Sequence, residues 1–288
     1  MDGAPAERRE GGIAVLPEDL IKKIRHIEIK SKKLAGGTFA SDYRSGFRGK
    51  GMEFDSIRQY YPGDDVRNID WNVTARQNKA YVKQFCEERD LNIFLLIDMS
   101  RSTSFGRKRE VIAEISAMLA FSASISNDRV GAIFYTDNVE KFIPSAGGRK
   151  HVLAMIESIL EFKPKHAGTN LAEALKFFSL IEKKKSVVFV ISDFLDGGTT
   201  DDLNVISKHH DLVLIRVIDK AEVYIPAGAI FTFEDLESGS QFELYNLKKE
   251  FRLEGRPELN GCSMIDIYTD EDYVKPLRLF FRRRAGIY

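Results

Sequence analysis

Asp98 closes an apolar run, LNIFLLID, and alcohols follow it at Ser100, Ser102, Thr103 and Ser104. Further on, Thr169 sits in KHAGTNLAEAL, just ahead of a helical pattern. Asp193 ends a second apolar run, KSVVFVISD. Such residues do one of two things. An alcohol after a strand caps the next helix with its side-chain oxygen. Alternatively, carboxylates and hydroxyls together hold a hard cation. Read alone, Thr169 caps the helix that starts at Leu171 and Asp193 is a turn acid. Read jointly, Asp98, Ser100, Ser102, Thr169 and Asp193 stand at a strand end, in a loop before a helix, and at another strand end. In an open parallel sheet those places share one edge. An all-oxygen set suits Mg²⁺ at roughly 2.0–2.1 Å, with Mn²⁺ or Ca²⁺ as alternatives. Two carboxylates balance the dication, and neutral hydroxyls leave it electrophilic toward one more acid.

The elements that must position these residues are legible as apolar runs. IFLLI, VVFVI and LVLIRVI are continuous rather than alternating, as strands buried on both faces are. Helical patterns fall between them, at about 108–126, 149–161, 171–182 and 201–209. The fold class is therefore α/β, with a mostly parallel sheet flanked by helices. A β-hairpin is expected in AGAIFTFEDLESGSQFELYNL, then a strand at CSMIDIYT and a helix at about 270–283.

The chain divides into a flexible leader over 1–16, an N-terminal helix plus β-rich segment over 17–90, and the sheet domain over 91–288. Pro17 suits a first helical position, with Leu20, Ile24 and Ile27 on one face. From Gly36 to Phe85, glycines and aromatics alternate with charge, and the stretch reads as short strands joined by tight turns. Within it, YYPGDDVRNIDWNVTAR holds Asp64, Asp65, Arg67, Asp70, Trp71 and Arg76. These form either a network of arginine–carboxylate forks stapling the front segment onto the sheet domain, or a partner surface.

Bulk properties narrow the classes. The 288 residues carry zero formal net charge, which gives no broad pull toward nucleic acid or anionic membrane. Two cysteines, Cys86 and Cys262, make neither a zinc cluster nor a disulfide framework. No segment is apolar over the ~18 residues a membrane helix needs, and the N-terminus lacks a signal-peptide pattern. A cytoplasmic protein without nucleic-acid partners is expected. No P-loop motif is present. The basic tail FFRRRAG suits a helix C-terminus, and His166 reads as a solvated loop residue.

DMSRS, AGTNL and ISD resemble the metal-ion-dependent adhesion site of von Willebrand factor type A domains. The wider pattern, from GKGMEFDSIRQYYPGDDVRNIDWNVTAR through YVKQFCEERDLNIFLLIDMSRSTSFG, resembles a bacterial family of unknown function, number fifty-eight in its series. The resemblance spans about 17–285. It implies a Rossmann-like type A domain preceded by a β-rich segment. By that analogy Ser100, Ser102 and Thr169 offer hydroxyls to the ion, and Asp98 and Asp193 act directly or through water. It also implies a protein partner, a MoxR-type AAA+ ATPase or its client. Two rivals remain. One is a phosphotransferase or phosphatase-like enzyme using Asp98, although Ser100 stands where such enzymes want a second acid. The other is a scaffold whose metal site is empty.

Overall fold

The computed structural model of the chain describes residues 18–35, 38–47, 52–77, 79–87, 91–195, 200–225, 229–234, 241–246, 251–252 and 263–286. In chain order the elements are α1 (Glu18–Ala35), α2 (Thr38–Phe47), β1 (Met52–Gln59), α3 (Trp71–Gln77), β2 (Tyr81–Glu87) and β3 (Asn92–Asp98). Then come α4 (Lys108–Ile125), β4 (Arg129–Tyr135), β5 (Val139–Ala146), α5 (Arg149–Glu161), α6 (Leu171–Ile181), β6 (Val187–Ser192), α7 (Thr200–His209) and β7 (Asp211–Ile218). The remainder is α8 (Lys220–Val223), β8 (Tyr224–Ile225), β9 (Ala229–Glu234), β10 (Gln241–Asn246), β11 (Phe251–Arg252), β12 (Ser263–Tyr268) and α9 (Val274–Arg284).

The continuous apolar runs become the middle of a six-stranded sheet of order β12-β7-β6-β3-β4-β5. All its pairings are parallel except β4 with β5 at the edge. Every residue of β6 is buried, as a strand covered on both faces must be. On one face the core holds Ile112, Ile115 and Leu119 of α4, Met155 of α5 and Leu277 of α9. On the other it holds Leu175 and Phe178 of α6, with Leu203 and Ile206 of α7. The expected hairpin is present, with β9 antiparallel to β10, while its ESGS turn lies outside the described residues. The leader over 1–16 and Pro17 lie outside them too. Among the described residues no helix is long and apolar enough to cross a membrane.

Two segments depart from the sequence reading, and the shorter is WNVTARQ, which forms α3. TFASDYRSGF forms α2, not short strands. Local composition disfavours a helix there, but Phe39, Tyr43 and Phe47 recur at helical spacing, and packing outweighs propensity. Phe39 and Tyr43 are buried. The rings of Phe39, Tyr43 and Phe47 meet Phe281 of α9 edge-on at centroid distances of 5.5, 5.6 and 5.4 Å. Gly46 lets the two helices close up, because a Cβ there would come within 3.2 Å of the Phe281 carbonyl oxygen and ring. Arg278 Nε donates to Asp42 at 3.0 Å and Arg284 Nε to the Gly46 carbonyl at 3.0 Å. Arg284 also pairs with Asp211. Its charge therefore does more than complement its own helix. α1 lies beside α4, where Ile27 enters the same core and Lys30 pairs with Glu114 at 2.6 Å.

Phe281 is fully buried at this junction. Phe281→Ala should cost about 3–5 kcal/mol in denaturant unfolding, the usual range for deleting a core ring. A loss below about 1 kcal/mol would show that α2 and α9 are not held by the aromatic cluster.

Candidate functional site

The parallel register sets Ile97 of β3 against Ile191 of β6, which brings Asp98 and Ser192 to the same rim. Ser192 Oγ donates to Asp98 Oδ2 at 2.7 Å, and the Ser100 backbone N–H donates to Asp98 Oδ1 at 2.9 Å. Asp193 follows directly. The carboxylates of Asp98 and Asp193 are near enough to repel one another.

The alcohols after Asp98 do not cap the next helix. The N-cap of α4 is Arg107, which makes no side-chain capping bond. Ser102–Ser104 form a 3₁₀ turn instead. Ser100 Oγ and Ser102 Oγ lie 3.0 Å apart, and Thr103 Oγ1 donates to the Ser100 carbonyl at 2.8 Å. Asp98, Ser100 and Thr103 are fully buried. The capping expectation for Thr169 also fails. Asn170 is the N-cap of α6, accepting from the Glu173 N–H at 3.3 Å.

The Thr169 loop is pinned beside the Ser100 loop by backbone. Arg101 N donates to the Ala167 carbonyl at 3.1 Å, and Asn170 N donates to the Thr136 carbonyl at 2.8 Å. Glu140 braces the same loop from below, accepting from Lys165 N at 2.9 Å and His166 N at 3.2 Å. His166 is exposed, as expected of a loop histidine. Gly168 comes close to the Asp137 side chain, and its N–H donates to Asp137 Oδ2 at 3.3 Å; a Cβ here would make that carboxylate move.

Charge at the rim is uneven. Burial is the main reason the Asp98 carboxyl is pushed up to about 7, with Asp193 repulsion adding to it, against bonds from Ser192 and Ser100 that lower it. Asp193 Oδ2 instead accepts from Lys108 Nζ at 2.9 Å. Lys108 is fully buried and also pairs with Glu222 of α8 at 2.5 Å. Burial raises the Glu222 carboxyl although Lys108 opposes it. Arg109 donates to the Met99 carbonyl at 3.1 Å and Ser104 Oγ at 3.2 Å.

The donor set fits a hard divalent cation. Oxygen ligands about 2.1 Å from an octahedral ion lie about 3 Å from one another, and the Ser100 and Ser102 hydroxyls already have that spacing. Asp98 and Asp193 bring two carboxyl groups to the same place; among the described residues Asp193 bonds to Lys108, while Asp98 feels the charge of Arg109 and accepts only from Ser192 and Ser100. Among the described residues, no group of three or more His, Cys, Asp or Glu could hold a metal. Any ion here therefore depends on the hydroxyls.

The Asp64–Arg76 stretch behaves otherwise. Its forks close within the arm formed by β1, α3 and β2. Arg58 binds Asp64 through both guanidinium nitrogens at 2.7 Å, and Arg67 binds Asp65 at 2.9 Å. Asp70 caps α3 through the Asn72 and Val73 N–H groups and lies 3.6 Å from Lys83. These bonds shape the arm and do not staple it to the sheet. Arg76 is exposed, as are Trp71 at 69%, Tyr61 at 63% and Val66 at 61%.

A family model described as "Protein of unknown function DUF58" matches residues 56–257. The chain belongs to that family. Within DUF58's span lie most of the arm, five of the six strands of the main sheet and all five residues singled out in the sequence. The chain is 29% identical to uncharacterized protein Rv1480 of Mycobacterium tuberculosis over 287 residues, covering 93% of this chain and 90% of that one. It is 31% identical to YeaD of Bacillus subtilis over 105 residues, 36% of this chain and 25% of YeaD. Among solved structures it is similar to BatB from Bacteroides thetaiotaomicron (TM-score 0.47, 14% identity, 68% of this chain and 99% of that one). It is also similar to the SpRpn10 VWA domain (TM-score 0.36, 11% identity, 65% and 93%).

Nothing in the sequence marks Ser192, Lys108 or Glu222 as rim residues. Ser192 is the middle letter of ISD, and the strand register alone turns it to Asp98. Lys108 lies in GRKRE, where neighbouring basic residues disguise it.

A raised folded-state pKa means that the ionised form of Asp98 costs stability. The penalty is absent below the unfolded pKa near 4 and grows to on the order of 4 kcal/mol at most as pH rises through about 7. In chelator, the stability of Asp98→Asn relative to wild type should therefore climb between pH 4 and pH 8. A flat difference in thermal unfolding across that range would show that Asp98 is not held in this environment.

Proposed function

We propose that the protein is a binding module that grips an acidic side chain of a protein partner through a divalent cation, Mg²⁺ in the first instance. Asp98, Ser100, Ser102 and Thr169 would hold the ion, and Asp193 would act through water. Bound there, the ion would supply an open electrophilic position for a carboxylate from the partner. The observation that carries this reading is the pairing of the Ser100 and Ser102 hydroxyls beside buried Asp98, with no helix end to cap.

The protein itself presents the acid, fixes the hydroxyl spacing and shields the rim from water. Family resemblance suggests the partner: a MoxR-type AAA+ ATPase or its client, in maturation or assembly of other proteins. The contact would be charge-assisted and direction-specific. The reading belongs with DUF58 membership and the mostly parallel α/β fold, on which the rim loops are the natural binding edge.

Calorimetric titration should show Mg²⁺ binding to wild type that weakens at least about tenfold in Asp98→Ala and in Ser100→Ala. Capture of a MoxR-type ATPase should be lost in chelator. Unchanged Mg²⁺ affinity in Asp98→Ala removes the metal from the account. Capture that survives chelator moves the partner to another surface, and turnover of an aryl phosphate lost in Asp98→Ala would make the protein an enzyme.

A further inference from the structure

Lys108 is the first residue of α4, and none of its surface reaches solvent. A buried lysine needs partners for its charge and for three N–H donors. It has Asp193 Oδ2 at 2.9 Å, Glu222 Oε2 at 2.5 Å and the Ser102 carbonyl at 3.5 Å. Those acceptors come from three loops of the rim: the end of β6, α8 after β7, and the turn after β3. The ammonium is thus wired to one carboxylate of the candidate metal cluster and to the backbone of one of its hydroxyl residues.

We propose that Lys108 is a built-in counter-cation that holds Asp193 back from direct contact with a divalent ion and so keeps that ion weakly bound and exchangeable. The inference rests on the binding-module reading and adds its regulation. The carboxyl groups of Asp98, Asp193 and Glu222 crowd this part of the rim; Lys108 lends its positive charge to Asp193 and Glu222, and Arg109 acts on Asp98, so an incoming cation meets that much less negative charge. It also occupies Asp193 Oδ2, one of the four oxygens the two site carboxylates offer. Lys108 itself touches neither ion nor partner and acts as a positioning residue. A site built this way has a reason to bind its ion loosely until a partner carboxylate completes the shell.

Glu222 works in the opposite sense. It shares the ammonium and so relieves Asp193 of part of that charge. The two variants Lys108→Met and Glu222→Gln should consequently shift metal affinity in opposite directions, which loss of packing would not do.

The test is Mg²⁺ titration of the full chain by calorimetry, with thermal unfolding in chelator to establish that each variant is folded. Lys108→Met should bind Mg²⁺ about tenfold tighter than wild type, since a nearby positive charge is gone and Asp193 is released. Glu222→Gln should bind more weakly. If wild type binds Mg²⁺ and Lys108→Met binds no tighter, this inference falls and the metal reading stands. If neither binds, both fall. Binding by Lys108→Met alone supports the inference in its strongest form, with lysine as the resident cation. Should Lys108→Met fail to fold, Glu222→Gln decides, and unchanged affinity there overturns the proposal.

Discussion

Two carboxylates end neighbouring parallel strands, and their mutual repulsion in a dry rim is the constraint around which the site is arranged. In water two such charges would hardly notice one another. Under the cover of α4 and the Ser100 turn the dielectric is low and the cost is real. The structure answers asymmetrically. Asp193 receives a buried ammonium. Asp98 receives one backbone N–H and hydroxyl groups, which lower its pKa less than burial and repulsion raise it. One acid is thereby paired with a lysine and the other is pushed toward its protonated form, with Arg109 the cation that acts on it. A rim designed only for stability would have used apolar residues in place of both, since buried ion pairs rarely outdo good packing.

The geometry that imposes this is the parallel sheet itself. A crossover helix brings each strand back in the same direction, so the loops that follow β3 and β6 emerge on one edge, and the loop before α6 folds against them. Precision comes from below that edge. The β4–β5 turn supplies Thr136, Asp137 and Glu140, which fix the 165–170 loop through backbone N–H groups and through the close approach at Gly168. Because the antiparallel pair β4–β5 forms the sheet edge, that turn is a rigid hairpin corner and not a mobile crossover. Thr169 is therefore carried by a braced loop, next to Asn170, which caps α6.

The arm obeys different rules. Its acids and arginines pair with one another over short sequence separations; Asp70 caps α3, and Thr74 ties α3 to β2 by accepting from the Tyr81 N–H. Paired ions this exposed add little stability. They do fix a shape, and that shape leaves Trp71 outside, where a ring of that size contributes nothing to the core. Packing into the sheet's own core falls to α1 and α2, which precede the arm in the chain.

The sheet and its helices were legible because each depends on a local pattern: continuous apolar runs for doubly covered strands and apolar periodicity between them. The acids at the ends of two of those strands come to one rim by the parallel register. α2 was not legible, because its helical spacing of Phe39, Tyr43 and Phe47 is meaningful only opposite Phe281, more than two hundred residues away. The sequence leaves the forks of the arm open, as cross-links to the sheet or as a partner surface, because composition shows which ions are present and not which are neighbours. Lys108 was hidden for a deeper reason. A lysine in a run of basic residues at a helix start reads as solvated, and only tertiary structure can bury it.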